Sequence, residues 1–213
     1  RWDFTVEDKG WGEKEKRLIP PVSLLSWLIR NLRSPDDGEL SENPAKAQKR
    51  KELIEGSDAT MREALSLLGN NPSSQDWHIF EGITQPDVFI QTPDMIIVIE
   101  GKRTERETTK NTKWMQGRHQ MWRHIDCAWE IKGRREVFGF FIVEGDGAND
   151  LVPAHWIIEA EITMGQEALA SSLPHRGPEE REGIRRCFIG VTTWQKVCKE
   201  FNIDWNLLPD LVD

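Results

Sequence analysis

Few stretches of this 213-residue chain leave the backbone as little choice as Trp77–Thr104, WHIFEGITQPDVFIQTPDMIIVIEGKRT. Met95–Ile99 is an uninterrupted apolar run, and the Thr92-Pro93-Asp94 segment before it is a turn signal. Val88–Ile90, after Pro86, is a second run of strand-forming residues. Together they predict a hairpin, with a further short strand over Ile79–Glu81 closed by Gly82. Strand side chains alternate between faces, so Glu100 and Lys102, at the end of the last run, share one face.

The direction of Asp87 depends on the turn. A four-residue turn over Gln91–Asp94 sets Ile90 against Met95 and Asp87 against Val98, which makes Asp87 the diagonal neighbour of Glu100 on one face. A three-residue turn without a bulge sends the two acids to opposite faces. In the first register two carboxylates and an ammonium converge at one end of an apolar hairpin. Two anions about 4 Å apart repel by roughly 4 kcal/mol at an effective dielectric of about 20, so a cation is expected between them. A hard divalent ion suits such oxygen donors.

Pro86-Asp87, a gap of twelve residues, and then Glu100-Gly101-Lys102 resemble the motif of the PD-(D/E)xK nuclease superfamily. The resemblance is carried by residues 50–145 and only loosely by the two ends. It implies an α/β restriction-endonuclease-like fold, a mixed β-sheet core flanked by helices, here with a helical N-terminal extension. It also implies a metal-dependent nuclease that hydrolyses phosphodiester bonds in nucleic acid, DNA in the first instance, with Mg²⁺ or Mn²⁺ as cofactor. In that family's terms Asp87 and Glu100 would hold the ion together with the backbone carbonyl of Gly101. Lys102 would position the attacking water and stabilise charge developing on the phosphate. Several members place a glutamine from the helix after the lysine strand into the site, a role open to Gln120 or Gln116. Some add an acid from a helix before the sheet, for which Glu52, Glu55 and Glu63 are candidates. Glu81, six residues before Asp87, is a further candidate acid. Two other readings stay open: a non-catalytic nucleic-acid-binding module on the same fold, and an unrelated α/β enzyme in which Glu100 and Lys102 form a surface ion pair. No Walker loop, GxSxG, HExxH or dinucleotide GxGxxG occurs to favour other chemistries.

The rest of the chain reads as support. Residues 1–75 predict a helical extension packed on a nuclease-like α/β core over 76–213, a single domain overall. A first helix starts at Pro21 and carries Val22, Leu24, Leu25, Leu28, Ile29 and Leu32 on its apolar face. A second runs from Pro44 toward Glu55, and a third is capped by Ser57 or Asp58 and stops at Gly69-Asn70-Asn71-Pro72. After Lys102, Thr112 is expected to cap a helix over Lys113–Glu130. Met115, Trp122 and Trp129 would form its core stripe, and Gln116, Gln120 and Arg123 its polar stripe. Val137–Glu144 reads as a strand, Leu151–Gln166 as an interrupted helix, Ser171–Pro178 as a loop, and Cys187–Val191 as a last strand feeding a helix near Thr193.

The formal net charge of −8 opposes a nucleic-acid role until its distribution is considered, because phosphate binding is driven by Lys and Arg. Residues 101–135 alone carry +6, which leaves −14 for the remainder and predicts a local phosphate-binding surface rimming a cleft at the carboxylate end. The tryptophans among these bases, Trp114, Trp122 and Trp129, suit base stacking or, more ordinarily, a helix core. Cys127, Cys187 and Cys198 follow no metal or disulfide spacing and predict reduced core thiols. His119 and His124, five apart, lack metal-ligand spacing. No apolar run is long enough to span a membrane and no signal peptide is visible, so a cytoplasmic protein without a membrane partner is expected, with a homodimer compatible.

Overall fold

Four strand-forming runs, Val88–Gln91 (β1), Met95–Lys102 (β2), Glu136–Val143 (β3) and Phe188–Thr193 (β4), form one sheet in the order β1-β2-β3-β4. The computed structural model describes residues 16–35, 38–69, 75–146 and 150–205. β1 runs antiparallel to β2, whereas β2, β3 and β4 are mutually parallel. Parallel neighbours need a crossover between them. The helix α4, Gln120–Ile131, supplies it between β2 and β3. Three helices, α5 (Ala154–Met164), α6 (Gln166–Ser172) and α7 (Pro178–Arg185), lie between β3 and β4. α8, Trp194–Glu200, follows β4. The chain is therefore a mixed α/β protein whose sheet is flanked by helices.

One face of β2 is sealed by α4. Ile96 and Val98, on the parity of Glu100, are fully buried with Met121, Trp122 and Ile125 of α4. Full burial is worth about 1.5–3 kcal/mol for each aliphatic side chain. α4 comes this close because β3 carries Gly139 opposite Val98: a Cβ there would meet the Ile125 side chain at 2.7 Å. That approach sets the depth at which the first turn of α4 meets the end of β2.

Three N-terminal helices form as expected: α1 (Val22–Asn31), α2 (Pro44–Ile54) and α3 (Asp58–Leu67). Ser57 caps α3 by accepting from the Thr60 N–H. Leu24, Leu25, Leu28, Ile29 and Leu32 are buried, but Val22, expected on the same face, is exposed. These helices share a second apolar cluster, which takes Ile79, Phe80 and Met115 from the later chain. Beyond Gly69, the expected stop over Gly69-Asn70-Asn71-Pro72 lies outside the described residues.

Three expectations need correction. Ile79–Glu81 is a buried loop, not a strand; the local pairing is a single bridge between Leu18 and Thr84. The helix expected over Lys113–Glu130 begins only at Gln120. Thr112 and Met115 exchange backbone hydrogen bonds in a tight turn, and Gly117, at φ +74°, takes a left-handed conformation that a helix does not use. The helix is then capped by His119, whose Nδ1 accepts from the Met121 N–H, and not by Thr112. Met115 accordingly belongs to the N-terminal cluster and not to the α4 stripe. The third correction is α7, a helix that begins at Pro178 where only a loop and connection were expected. Cys127, Cys187 and Cys198 are free and buried, and no helix among the described residues is long and apolar enough to cross a membrane.

Candidate active site

Val88 pairs with Ile99 and Gln91 with Ile96, so the hairpin turn is the two-residue Pro93-Asp94 and not the expected Gln91–Asp94. The Thr92 hydroxyl tightens it by accepting from the N–H groups of Asp94 and Met95, while the Thr92 N–H donates to the Met95 carbonyl at 2.9 Å. This register differs from the expected one by two residues, which preserves the face of every side chain. Carried one pair beyond β1, it sets Asp87 directly opposite Glu100 instead of diagonal to it.

Asp87 Oδ2 accepts the Gly101 N–H at 2.7 Å. Backbone groups along a strand alternate in direction. The Lys102 carbonyl turns to the β3 side, where it accepts the Glu144 N–H. The carbonyl of Gly101, one residue earlier, therefore turns with its N–H toward Asp87, where β1 has already ended. Partial burial and the neighbouring charge of Glu100 raise the pKa of Asp87, opposed by the Gly101 hydrogen bond and by the charges of Lys102 and His124.

Glu100 is 1% exposed. Its Oε2 accepts from Gln120 Nε2 at 2.7 Å and lies 3.4 Å from Lys102 Nζ, which is also 3.8 Å from Glu105. Its Oε1 is 2.7 Å from His124 Nε2. Glu100 Oε1, Gln120 Oε1 and His124 Nε2 are all buried without hydrogen-bond partners among the described residues. His124 is oriented from its other side by Thr84, Oγ1 to Nδ1 at 3.0 Å. On the opposite face of the sheet the Trp194 ring of α8 packs against Gly101, where a Cβ would meet it at 2.7 Å. That position admits only glycine without displacing the indole.

Asp87, Glu100, Gly101, Lys102 and Gln120 are thus brought together. His124 and Trp194 were not singled out from the sequence. For His124 a signal existed, because it lies four residues after Gln120 and so shares its face of α4. Gln116 is not on the helix and lines a separate cavity. Glu81 is drawn into a buried ion cluster: Arg118 binds both of its oxygens at 3.0–3.2 Å and Arg123 approaches one at 3.4 Å. Glu52, Glu55 and Glu63 sit on the N-terminal helices, engaged by Thr60, Lys51 and Lys49.

The basic run is largely consumed by ion pairs within the chain. Lys102, Arg103, Lys110, Lys113, Arg118 and Arg123 pair with Glu100, Glu144, Glu159, Glu39, Glu81 and Glu81 in turn. The expected phosphate-binding surface is therefore much reduced. The cavity lined by Gln116 lies beside the N-terminal helices and not over the carboxylates, where Asp87 is exposed and Glu100 buried.

The donors fit a hard divalent cation. Two carboxylates and a carbonyl are oxygen ligands, and the buried Glu100 carboxylate lies beside the exposed Asp87. No group of three His, Cys, Asp or Glu suited to a metal occurs among the described residues. Mg²⁺ tolerates this, because it is commonly bound through one or two carboxylates with water completing the shell. No protein-family model, curated protein or solved structure matches this chain.

Proposed function

We propose that the protein is a metal-dependent nuclease of the PD-(D/E)xK type, on a restriction-endonuclease-like fold, hydrolysing phosphodiester bonds in nucleic acid and most readily DNA. One observation carries the reading: Asp87 stands opposite Glu100, with Asp87 Oδ2 on the Gly101 N–H and the Glu100 carboxylate buried beside it. Acids so placed repel each other and a phosphate alike, and a bound cation would remove both costs.

Asp87, Glu100 and the Gly101 carbonyl would hold Mg²⁺ or Mn²⁺. The ion, when bound, supplies Lewis acidity toward the phosphoryl oxygen and lowers the pKa of water. Gln120 donates to Glu100 Oε2, and His124 Nε2 lies 2.7 Å from the other oxygen of the same carboxylate. Lys102, only slightly exposed, is held at the same acid and would orient the attacking water and offset charge gathering on the phosphate. No side chain need become covalently attached.

A second reading, a nucleic-acid-binding module without turnover, is favoured by one observation: Lys102 is tied to both Glu100 and Glu105. Incubation of the protein with plasmid, linear DNA and RNA in Mg²⁺, against EDTA controls, tests the proposal. Metal-dependent cleavage lost in Glu100→Gln supports it. Nucleic-acid binding with no turnover in any metal favours the module, and absence of both binding and turnover refutes the two together.

A further inference from the structure

The polarity of α5 is inverted for a helix at the surface. Its inward side carries Glu159 and Thr163. Glu159 accepts from the Thr108 hydroxyl at 2.8 Å and pairs with Lys110 at 2.9 Å, and the Thr163 hydroxyl lies 3.1 Å from His119 Nε2. Its outward side carries Ile157, Ile158 and Ile162, all exposed. An ordinary surface helix shows water the opposite pattern. Rolling the helix cannot turn these isoleucines inward. Trp156 is buried in the core and the Thr163 carbonyl accepts from Trp122 Nε1 at 3.0 Å, so the rotation of α5 is fixed by its inner side.

Beside α5 lies β4, the last strand of the sheet. A bulge at Ile189 and Gly190 interrupts its pairing with β3: Gly139 faces Phe188, but Phe140 faces Gly190, whose φ of +109° favours glycine. Bulges blunt an edge against strand-to-strand pairing. Here the bulge adds Ile189 to the wall of a groove of about 610 Å³ between α5 and β4, which also takes Val152, Ile157, Met164 and Val191. Glu161, exposed, is the one charged residue among the described lining. Leu151, Ile189 and the three isoleucines of α5 are each 49–59% exposed and together bare on the order of 500 Å² of apolar surface. A standard interface takes about 800 Å² from each partner, roughly 60% of it apolar, so the patch matches the apolar part of one side.

We infer that this surface is the contact of a two-fold dimer of the chain. The patch sets a ridge, Ile158 and Ile162, next to a groove, and a surface that holds both is complementary to itself under a two-fold rotation. A single foreign helix laid in the groove would leave the ridge in water. Two copies of a chain of net charge −8 repel, and the repulsion costs least across a face with few carboxylates. The inference does not rest on the cleavage reading: the patch lies on α5 and β4, whereas the carboxylate site lies on β2, the start of β1 and α4.

Sedimentation velocity of the full chain in EDTA, over about 1–100 µM, tests it. The wild type should dimerise with a dissociation constant of about 10 µM or tighter and form nothing larger, because a two-fold contact closes. Ile158→Glu combined with Ile162→Glu, at exposed positions, should keep the circular dichroism of the fold and weaken association about a hundredfold or more. Ile189→Glu, which leaves α5 untouched, should weaken it about tenfold or more. Ile19→Glu, at a more exposed isoleucine outside the patch, should dimerise as the wild type does. A wild-type chain that is monomeric throughout this range overturns the inference and leaves the face to a foreign partner. A dimer untouched by the α5 and β4 substitutions, one weakened equally by Ile19→Glu, or an open series of larger assemblies overturns it as well.

Discussion

Replacing Arg118 by methionine should lower stability by about 4 kcal/mol at neutral pH. Arg118 is fully buried and gives two hydrogen bonds through Nε and one through Nη2 to Glu81, another through Nη2 to Asp126 at 2.9 Å, and one through Nη1 to the Ser172 carbonyl at 2.7 Å. Methionine fills the space of the stem and supplies no donor. Removing one partner of a buried ion pair costs about 3–5 kcal/mol, and a buried carbonyl left unpaired adds about 1–3. Arg123 on Glu81 and Arg176 on Asp126 remain and bring the sum down toward the lower figures. For a domain of this length the loss should appear as a fall in Tm of about 8–16 °C by circular dichroism. The loss should also depend on pH. Burial alone would raise the pKa of Asp126, but the His175 hydrogen bond and the charges of Arg118, His175 and Arg176 hold it at about 2. A carboxyl depressed in this way contributes stability above its ordinary value of 3.8, and the contribution is lost as pH falls through the folded value. The difference between the two proteins should therefore shrink between about pH 4 and pH 2. Glu81→Gln added to Arg118→Met should recover part of the loss by removing the stranded charge. A decrease under about 1 kcal/mol, or a double variant no better than the single, would refute the assignment of Glu81 to this cluster.

Gly101→Ala should cost about 1–3 kcal/mol in thermal unfolding because its Cβ meets Trp194 at 2.7 Å, and Trp194→Leu should restore much of it. Asp87→Asn should raise Tm in EDTA at pH 7 by about 1–4 °C, a figure kept small because Asp87 is exposed. The gain should vanish at pH 3: partial desolvation of the carboxyl and the charge of Glu100 raise the folded pKa, so ionised Asp87 weakens the fold above the ordinary carboxylate range and not below it. Lys102→Ala should retain Mg²⁺ affinity and lose kcat in the plasmid assay, and a matching loss of metal affinity would contradict its assignment to water and phosphate.

The hairpin was legible because β-branched runs and a threonine-proline turn act over a few residues, and the face shared by Asp87, Glu100 and Lys102 survived an error in turn length since that error was even. Gln120 was legible as the polar residue on the helix that must cover an apolar strand. What escaped was set by contacts distant in sequence. Ile79–Glu81 has a strand-like composition, yet its side chains are claimed by the N-terminal helices and by Arg118, and the backbone follows them. The start of α4 was misplaced by seven residues because the left-handed Gly117 and the Thr112–Met115 turn outweigh the helical periodicity of the segment. The +6 charge of residues 101–135 suggested an open basic face, but six of those bases meet acids, most of them from elsewhere in the chain. Net charge along a segment does not reveal partners brought by folding.

Calorimetric titration of Mn²⁺ into the wild-type chain and into Asp87→Asn, Glu100→Gln and Glu81→Gln measures whether the two opposed carboxylates share an ion. Saturable binding by the wild-type protein and by Glu81→Gln is expected, with affinity reduced about tenfold or more in Asp87→Asn and in Glu100→Gln. Equal affinity in all four proteins, or no saturable binding by the wild type, would contradict a metal site at Asp87 and Glu100.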